Sequence, residues 1–198
     1  MIYDAVNTNV KLAGQLIINK EIIIYPTDTL YGFGVDATST KAITLLNKLK
    51  KRNSPLSIIV SSIKMLEKYA ILDKTILSVI EKILPGSFTL LLKNDKNNNL
   101  SSRITLNTGK VGIRIPKSSF IIDVVNYIGR PIVTTSINKH NEKSINDINT
   151  IISKYNQFPI FKNDICIDSN GSTILDLTTN EIKLIRQGDG ILNNEYIS

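Results

Sequence analysis

Strand-like and helix-like segments alternate along the whole chain, and that alternation restricts its fold more than any other feature. Short β-branched runs are bounded by proline or glycine, and stretches with apolar residues at helical spacing stand between them. Residues 4–19 carry Val6, Val10, Ala13, Leu16 and Ile17 at that spacing, and Glu21–Tyr25 is a strand ended by Pro26. Ser39–Lys51 is a helix with Ala42, Ile43, Leu45, Leu46 and Leu49 on one face, and Pro55 breaks the chain after it. Further strands are expected at Leu56–Val60, Phe88–Leu92, Val111–Ile115, Ile132–Thr135, Ile165–Asp168, Thr173–Leu177 and Ile182–Arg186. Further helices are expected at Ile63–Tyr69, Lys74–Ile83, Phe120–Tyr127 and Ile145–Tyr155, with a polar loop at Asp95–Asn99. The pattern predicts an α/β fold: a twisted mixed sheet with helices packed on it and a ligand cleft among the loops at strand ends.

The chain is 198 residues long and has no Pro/Gly/Ser-rich linker and no repeat, so a single domain over residues 1–198 is expected, without a C-terminal extension domain. Its densest apolar run, Ile22-Ile23-Ile24, is strand-sized, which leaves no candidate for a membrane span. Met1–Asp4 lacks the basic start and apolar core of a signal peptide, and a lone cysteine cannot form an internal disulfide. A reducing cytoplasm is the expected compartment. The net charge of +7 is weak evidence for nucleic acid, because 19 Lys beside 34 Ile and 21 Asn reflect A/T-rich codons. The five arginines carry more information.

Several familiar chemistries are excluded. Gly32-Phe-Gly34-Val-Asp-Ala37 matches G-x-G-x-x-A, but no acidic residue follows at the distance a ribose contact needs. There is no G-x-x-x-x-G-K-[ST] and no G-x-S-x-G. The one histidine, His140, stands in a polar Asn-Lys loop, and Cys166, between Ile165 and Ile167, reads as a small structural side chain. No His/Cys/Asp cluster points to a protein-held metal.

What remains is a set of polar strand ends with isolated cations. Tyr25–Gly34 offers Thr27, Asp28, Thr29 and two glycines, fitting either a capped turn or a close approach to a ligand. Lys50 and Arg52 stand at the end of a helix, where the dipole favours cations even without a ligand. They would diverge if the helix continued, and the coming Pro55 lets the chain leave helical geometry. In Val111–Ile115 the apolar residues share one side, which leaves Gly112 with Arg114 on the other. That fork-shaped cation suits a carboxylate or phosphate, or is a solvated edge residue. Thr134–Asn138, Asn170–Thr173 and Ile185–Gly188 are further polar strand ends.

In order and wording these segments resemble the YrdC-like family of threonylcarbamoyl-AMP synthases. The family's Y-P-T-[ED]-T-x-Y-G-x-G is matched by Tyr25 to Gly34, its K-x-R by Lys50 to Arg52, and its P-G-x-x-T by Pro85 to Thr89. Val111 to Pro116, Ser136 to Asn138, Ser172 to Asp176 and Arg186 to Gly188 match its V-x-[VI]-R-x-P, S-x-N, S-T-[VI]-[VIL]-D and R-x-G. The segment after Arg52 is about two residues shorter than in many members, and Ser61-Ser62 stands where many carry histidine.

The resemblance implies that L-threonine, bicarbonate or CO2, and ATP yield threonylcarbamoyl-adenylate and pyrophosphate. Mg2+ would enter with ATP, and the product would pass to downstream threonylcarbamoyl transferase proteins for tRNA modification. Carried over motif by motif, Thr29, Arg114, Thr134 and Ser172 are expected to bind threonine, with Arg114 on its carboxylate. Arg52, Lys110, Ser136, Asn138, Ser144 and Arg186 are expected at the nucleotide, and Lys50 and Arg52 as catalytic cations. A carbamate attacking the α-phosphate needs alignment and charge neutralisation more than side-chain proton transfer. Two other readings are a non-catalytic module of the same fold binding tRNA or double-stranded RNA through phosphate contacts, and carbamoyl transfer in hydrogenase maturation. The first lacks clustered arginines and exposed aromatics, and the second belongs to large chains with zinc-finger cysteines. Even for the synthase, weak contact with tRNA is an expectation.

Overall fold

The computed structural model describes residues 1–138, 144–163, 168–179 and 181–193. Residues 165–167 of the strand expected at Ile165–Asp168, with Cys166 among them, and His140 lie outside the described residues.

Eleven described strands form one mixed sheet: β1 (Ile2–Asp4), β2 (Ile23–Tyr25), β3 (Gly32–Asp36), β4 (Ser57–Ile59), β5 (Ala70–Ile71), β6 (Phe88–Asn94), β7 (Lys110–Arg114), β8 (Ile132–Ser136), β9 (Ile160–Lys162), β10 (Thr173–Asp176) and β11 (Lys183–Arg186). The order is β1-β9-β2-β3-β8-β4-β7-β6-β10-β11, with β5 paired to β6. Four pairs are parallel (β1 with β9, β2 with β9, β4 with β7, β6 with β10) and the others antiparallel, so the sheet is mixed, as the interleaved pattern predicts.

The helices are α1 (Val10–Ile18), α2 (Thr40–Lys50), α3 (Ile63–Leu66), α4 (Lys74–Ile83), α5 (Ser102–Thr105), α6 (Ser119–Ile128) and α7 (Ile148–Tyr155). Ser39, Ser62, Asp73 and Asp147 cap the starts of α2, α3, α4 and α7, each accepting a backbone N–H from the first turn. The helix expected from residue 4 begins only at Val10, because residues 2–4 pair with β9 instead. Strands β1, β3, β5 and β9 and helix α5 are additions to the sequence reading.

Register assigns each side chain to a face. One face presents Ile24, Phe33, Val35, Val133, Ile58, Val111, Ile113, Leu90, Leu92 and Leu175, covered by apolar residues of α2, α4 and α7. The opposite face is covered only in part. Ile23, Tyr25, Ile59 and Ile132 pack beneath Ala13 and Ile17 of α1 and Phe120, Ile121, Val124 and Val125 of α6. Each such buried Ile, Val or Phe contributes about 1.5–3 kcal/mol of transfer free energy.

Next to them the same face carries Gly32, Ser136, Thr134, Ser57, Gly112, Thr89 and Arg114. Small and polar residues give a helix nothing apolar to cover, so this part of the sheet stays open.

Candidate functional site

The open part of the face is the floor of a cleft of about 350 Å³. It is walled by the loop that leaves β2 (Thr27, Thr29 to Gly32), the segment after α2 (Arg52 to Ser57), the end of β8 and Ser144, and the Asn170–Ser172 approach to β10 with Arg186. Thr29, Arg52, Arg114, Thr134, Ser136, Ser144, Ser172 and Arg186, all expected at the site from sequence, line it together. Three of the chain's five arginines are among them.

Arg114 lies where the apolar packing under α1 and α6 stops, since its row of the sheet also holds Ile59 and Ile132. Its side chain is 7% exposed, and burial pushes its pKa down, against the Asp28 carboxylate that holds it up. Nη2 donates to Asp28 Oδ1 at 2.6 Å and Nη1 to Thr29 Oγ1 at 3.2 Å. Nε is buried without a hydrogen-bond partner among the described residues, while Nη1 and Nη2 each keep a second proton beyond these bonds. Asp28 in turn accepts the backbone N–H of Lys117 at 3.0 Å and the Ser87 hydroxyl at 3.5 Å, joining three strand-end loops.

The K-x-R segment divides its cations. Helix α2 keeps Lys50 on its inner face, then Lys51 takes the left-handed conformation (φ 50°) as the C-cap and turns the chain away. Lys50 is therefore buried over the Phe33 ring, 5.8 Å from its centre, and outside the cleft lining. Its ammonium donates to the Ser136 carbonyl and, at 2.9 Å, to Asn138 Oδ1. Burial, helped by the Arg52 charge, pushes its pKa down to about 8. Asn138 also accepts the Ser136 hydroxyl at 2.9 Å and lies outside the lining.

Arg52 reaches the cleft wall and is fixed there: Nε donates to Ser54 Oγ at 2.8 Å, Nη2 to the Pro55 carbonyl at 3.0 Å and Nη1 to Thr135 Oγ1 at 3.3 Å. Arg186 donates to the Ser172 carbonyl through Nε (3.2 Å) and Nη2 (2.5 Å). Burial lowers the pKa of both guanidinium groups.

Lys110 corrects the sequence reading. It shares a face with Arg114 but lies four residues away along β7, about 13 Å at roughly 3.3 Å per residue. Its ammonium pairs with Asp176 at 2.6 Å and does not line the cleft. The catalytic expectation for Lys50 changes as well, since its contacts are with protein groups behind the wall. Ser61 and Ser62, at the position where many family members carry histidine, are away from the cleft: Ser62 caps α3 and the Ser61 hydroxyl lies 3.5 Å from the Met65 sulfur.

Thr89, which lines the cleft, was given no role from sequence although it stands within a quoted motif, and Asp28, named there as a turn or ligand group, holds Arg114 instead. Of the two glycines at the start of β3, Gly32 lines the cleft, while Gly34 makes room for the Tyr25 ring; a Cβ there would meet Tyr25 Cε1 at 2.6 Å.

The Sua5/YciO/YrdC family model, described as "Telomere recombination", matches residues 15–188. A Methanocaldococcus jannaschii protein named "Putative threonylcarbamoyl-AMP synthase" is 34% identical over 179 residues, covering 87% of this chain and 82% of that protein. The threonylcarbamoyl-AMP synthase of Buchnera aphidicola subsp. Schizaphis graminum is 29% identical over 176 residues, 85% of this chain and 90% of its own. Among solved structures, P. abyssi Sua5 complexed with L-threonine superposes with a TM-score of 0.86 at 24% identity, over 95% of this chain and 57% of that one.

Proposed function

The chain belongs to the Sua5/YciO/YrdC family, and from that premise we propose that it is an L-threonylcarbamoyladenylate synthase, using L-threonine, bicarbonate or CO2 and ATP. The observation that carries the proposal is the convergence of Arg52, Arg114 and Arg186 with Thr29, Thr134, Ser136 and Ser172 on one open face of the sheet. Cations and hydroxyls without an evident nucleophile suit a reaction driven by alignment and charge neutralisation.

In this reading the threonine carboxylate is bound by the Arg114 guanidinium, which Asp28 and Thr29 already orient and whose terminal nitrogens each have a second proton to donate. Carboxylation of the amine gives a carbamate, and its oxygen attacks the α-phosphorus. The bond from that phosphorus to the bridging oxygen of pyrophosphate breaks, and pyrophosphate leaves. Arg52 and Arg186 neutralise the phosphate charge. Lys50 acts from behind by holding the end of β8, where Ser136 presents its hydroxyl. The donor set, cations and hydroxyls with its carboxylate tied to Arg114, fits Mg2+ carried in by the ATP phosphates. The product is a mixed anhydride that a downstream transferase consumes in tRNA threonylcarbamoylation.

The test is to incubate the purified protein with threonine, bicarbonate, ATP and Mg2+. Pyrophosphate release that requires both threonine and bicarbonate is expected, and release indifferent to threonine overturns the proposal.

A further inference from the structure

We infer that Thr89 is a positioning residue for the amino-acid substrate, setting the direction in which Ser172 presents its hydroxyl to the cleft. The inference rests on the synthase reading above and adds a residue that reading does not use. Thr89 Oγ1 and Ser172 Oγ are 2.7 Å apart, both residues are buried, and both line the cleft. The contact is built by register. Strands β6 and β10 run parallel with Phe88 opposite Thr173 and Thr89 opposite Ile174, so Ser172 enters β10 beside Thr89. The distance is fixed by strand β6 on one side and, on the other, by the residue that leads directly into β10.

The proton count gives the pair its chemistry. Each hydroxyl has one proton, and one of the two is used in the bond between them. The neighbouring charged group, Arg186, has Nη2 3.4 Å from Ser172 Oγ and can only donate, so it cannot accept the remaining proton. One O–H of the pair is left for the cleft, where it meets a substrate oxygen. Without the Thr89 hydroxyl, Ser172 loses its partner and its O–H is free to rotate. The nucleotide side depends less on that hydroxyl, because Arg186 holds Ser172 chiefly through the main-chain carbonyl, at 3.2 and 2.5 Å against 3.4 Å to Oγ.

Steady-state pyrophosphate release by the full chain, with wild type, Thr89→Val and Thr89→Ser compared, tests this. Valine keeps the shape and removes the hydroxyl. Thr89→Val is expected to raise KM for threonine about tenfold, the loss of one buried hydrogen bond, while KM for ATP stays within about twofold. Thr89→Ser is expected to restore the threonine KM to within about threefold of wild type. Should Thr89→Val fail to fold by circular dichroism, Thr89→Ala provides the same comparison. An active wild type whose threonine KM is unmoved by removal of the hydroxyl overturns this inference alone, as does an equal rise in both KM values. A wild type that releases no threonine-dependent pyrophosphate overturns the synthase reading and this inference with it.

Discussion

Lys50 and Arg52 stand two residues apart and hold the same strand end at different groups. The Lys50 ammonium binds the Ser136 carbonyl and Asn138 from the α2 side, while the Arg52 guanidinium binds the Thr135 hydroxyl at the cleft wall. The left-handed Lys51 between them makes the separation possible. One cation is thereby enclosed by protein groups and the other lines the cleft.

The buried Lys50 makes stability depend on pH in a defined direction. Its pKa in the folded state is about 8, below the 10.5 of a free lysine, so between those values the unfolded chain binds the extra proton. Stability attributable to this residue therefore rises with pH from about 8 to 10.5, and the full penalty for burying its charge is present below pH 8. Urea unfolding of wild type and Lys50→Met across pH 7 to 10 should show a difference that moves in favour of wild type as pH rises, by at most about 3 kcal/mol. A difference independent of pH would contradict the burial argument.

The cations fall into two groups that mutagenesis should separate. Arg52→Ala and Arg186→Ala should each raise KM for ATP or lower kcat by more than tenfold, since each removes a charged group fixed at the cleft. Lys110→Ala loses a half-exposed ion pair with Asp176, worth less than about 1 kcal/mol, and should change KM for ATP less than threefold. Similar losses from all three would favour diffuse attraction of a polyanion and the RNA-binding alternative.

Arg114 cannot be removed without consequence for the fold. Arg114→Ala leaves the Asp28 carboxylate, 9% exposed, without its counter-ion, a cost of about 3–5 kcal/mol. The single variant should lose threonine-dependent turnover and melt early. Combining Arg114→Leu with Asp28→Asn should recover much of the melting temperature but none of the turnover. Recovered turnover in the double variant would exclude Arg114 from the carboxylate site.

Gly34 is constrained by packing. An added Cβ would press on the fully buried Tyr25 ring, so Gly34→Ala should cost about 1–3 kcal/mol in denaturant unfolding. At Gly109 a Cβ meets nothing within 4 Å and only the positive φ of 72° is unfavourable, so Gly109→Ala should cost about 1 kcal/mol.

The parts of this architecture that were legible in the sequence are those fixed by local pattern. Alternation in Val111–Ile115 separated Arg114 from the apolar side of β7, and the apolar spacing of α2 located the helix that carries Lys50. Strand β3 was hidden because two of its five residues are glycines, which have low strand propensity and are tolerated only because Tyr25 and the cleft occupy the space of their side chains. Strands β1 and β9, three residues each, have too few residues to show a period. The role of Lys110 depended on Asp176, 66 residues away, and that of Arg114 on Asp28, 86 residues away. Pairings at that separation are set by sheet order, which no local window contains.

Amino-acid selection should follow from the hydroxyls around the substrate. Thr29, Thr134 and Ser172 line the cleft near Arg114, and the Ser172–Thr89 pair leaves a proton for a substrate oxygen. Valine has the size of threonine but offers no oxygen, so its entry leaves the remaining O–H of the Ser172–Thr89 pair without an acceptor, a penalty that reaches about 10⁴-fold in sites built to bind a hydroxyl. Serine keeps the oxygen and lacks one methyl, which is worth about 1–3 kcal/mol, or roughly 10- to 200-fold. The expected order of kcat/KM is threonine, then serine, then valine, with serine detectable and valine close to background. Pyrophosphate release measured separately with each amino acid at equal ATP and bicarbonate tests the order, and valine turning over as fast as serine would mean that these hydroxyls do not face the substrate side chain.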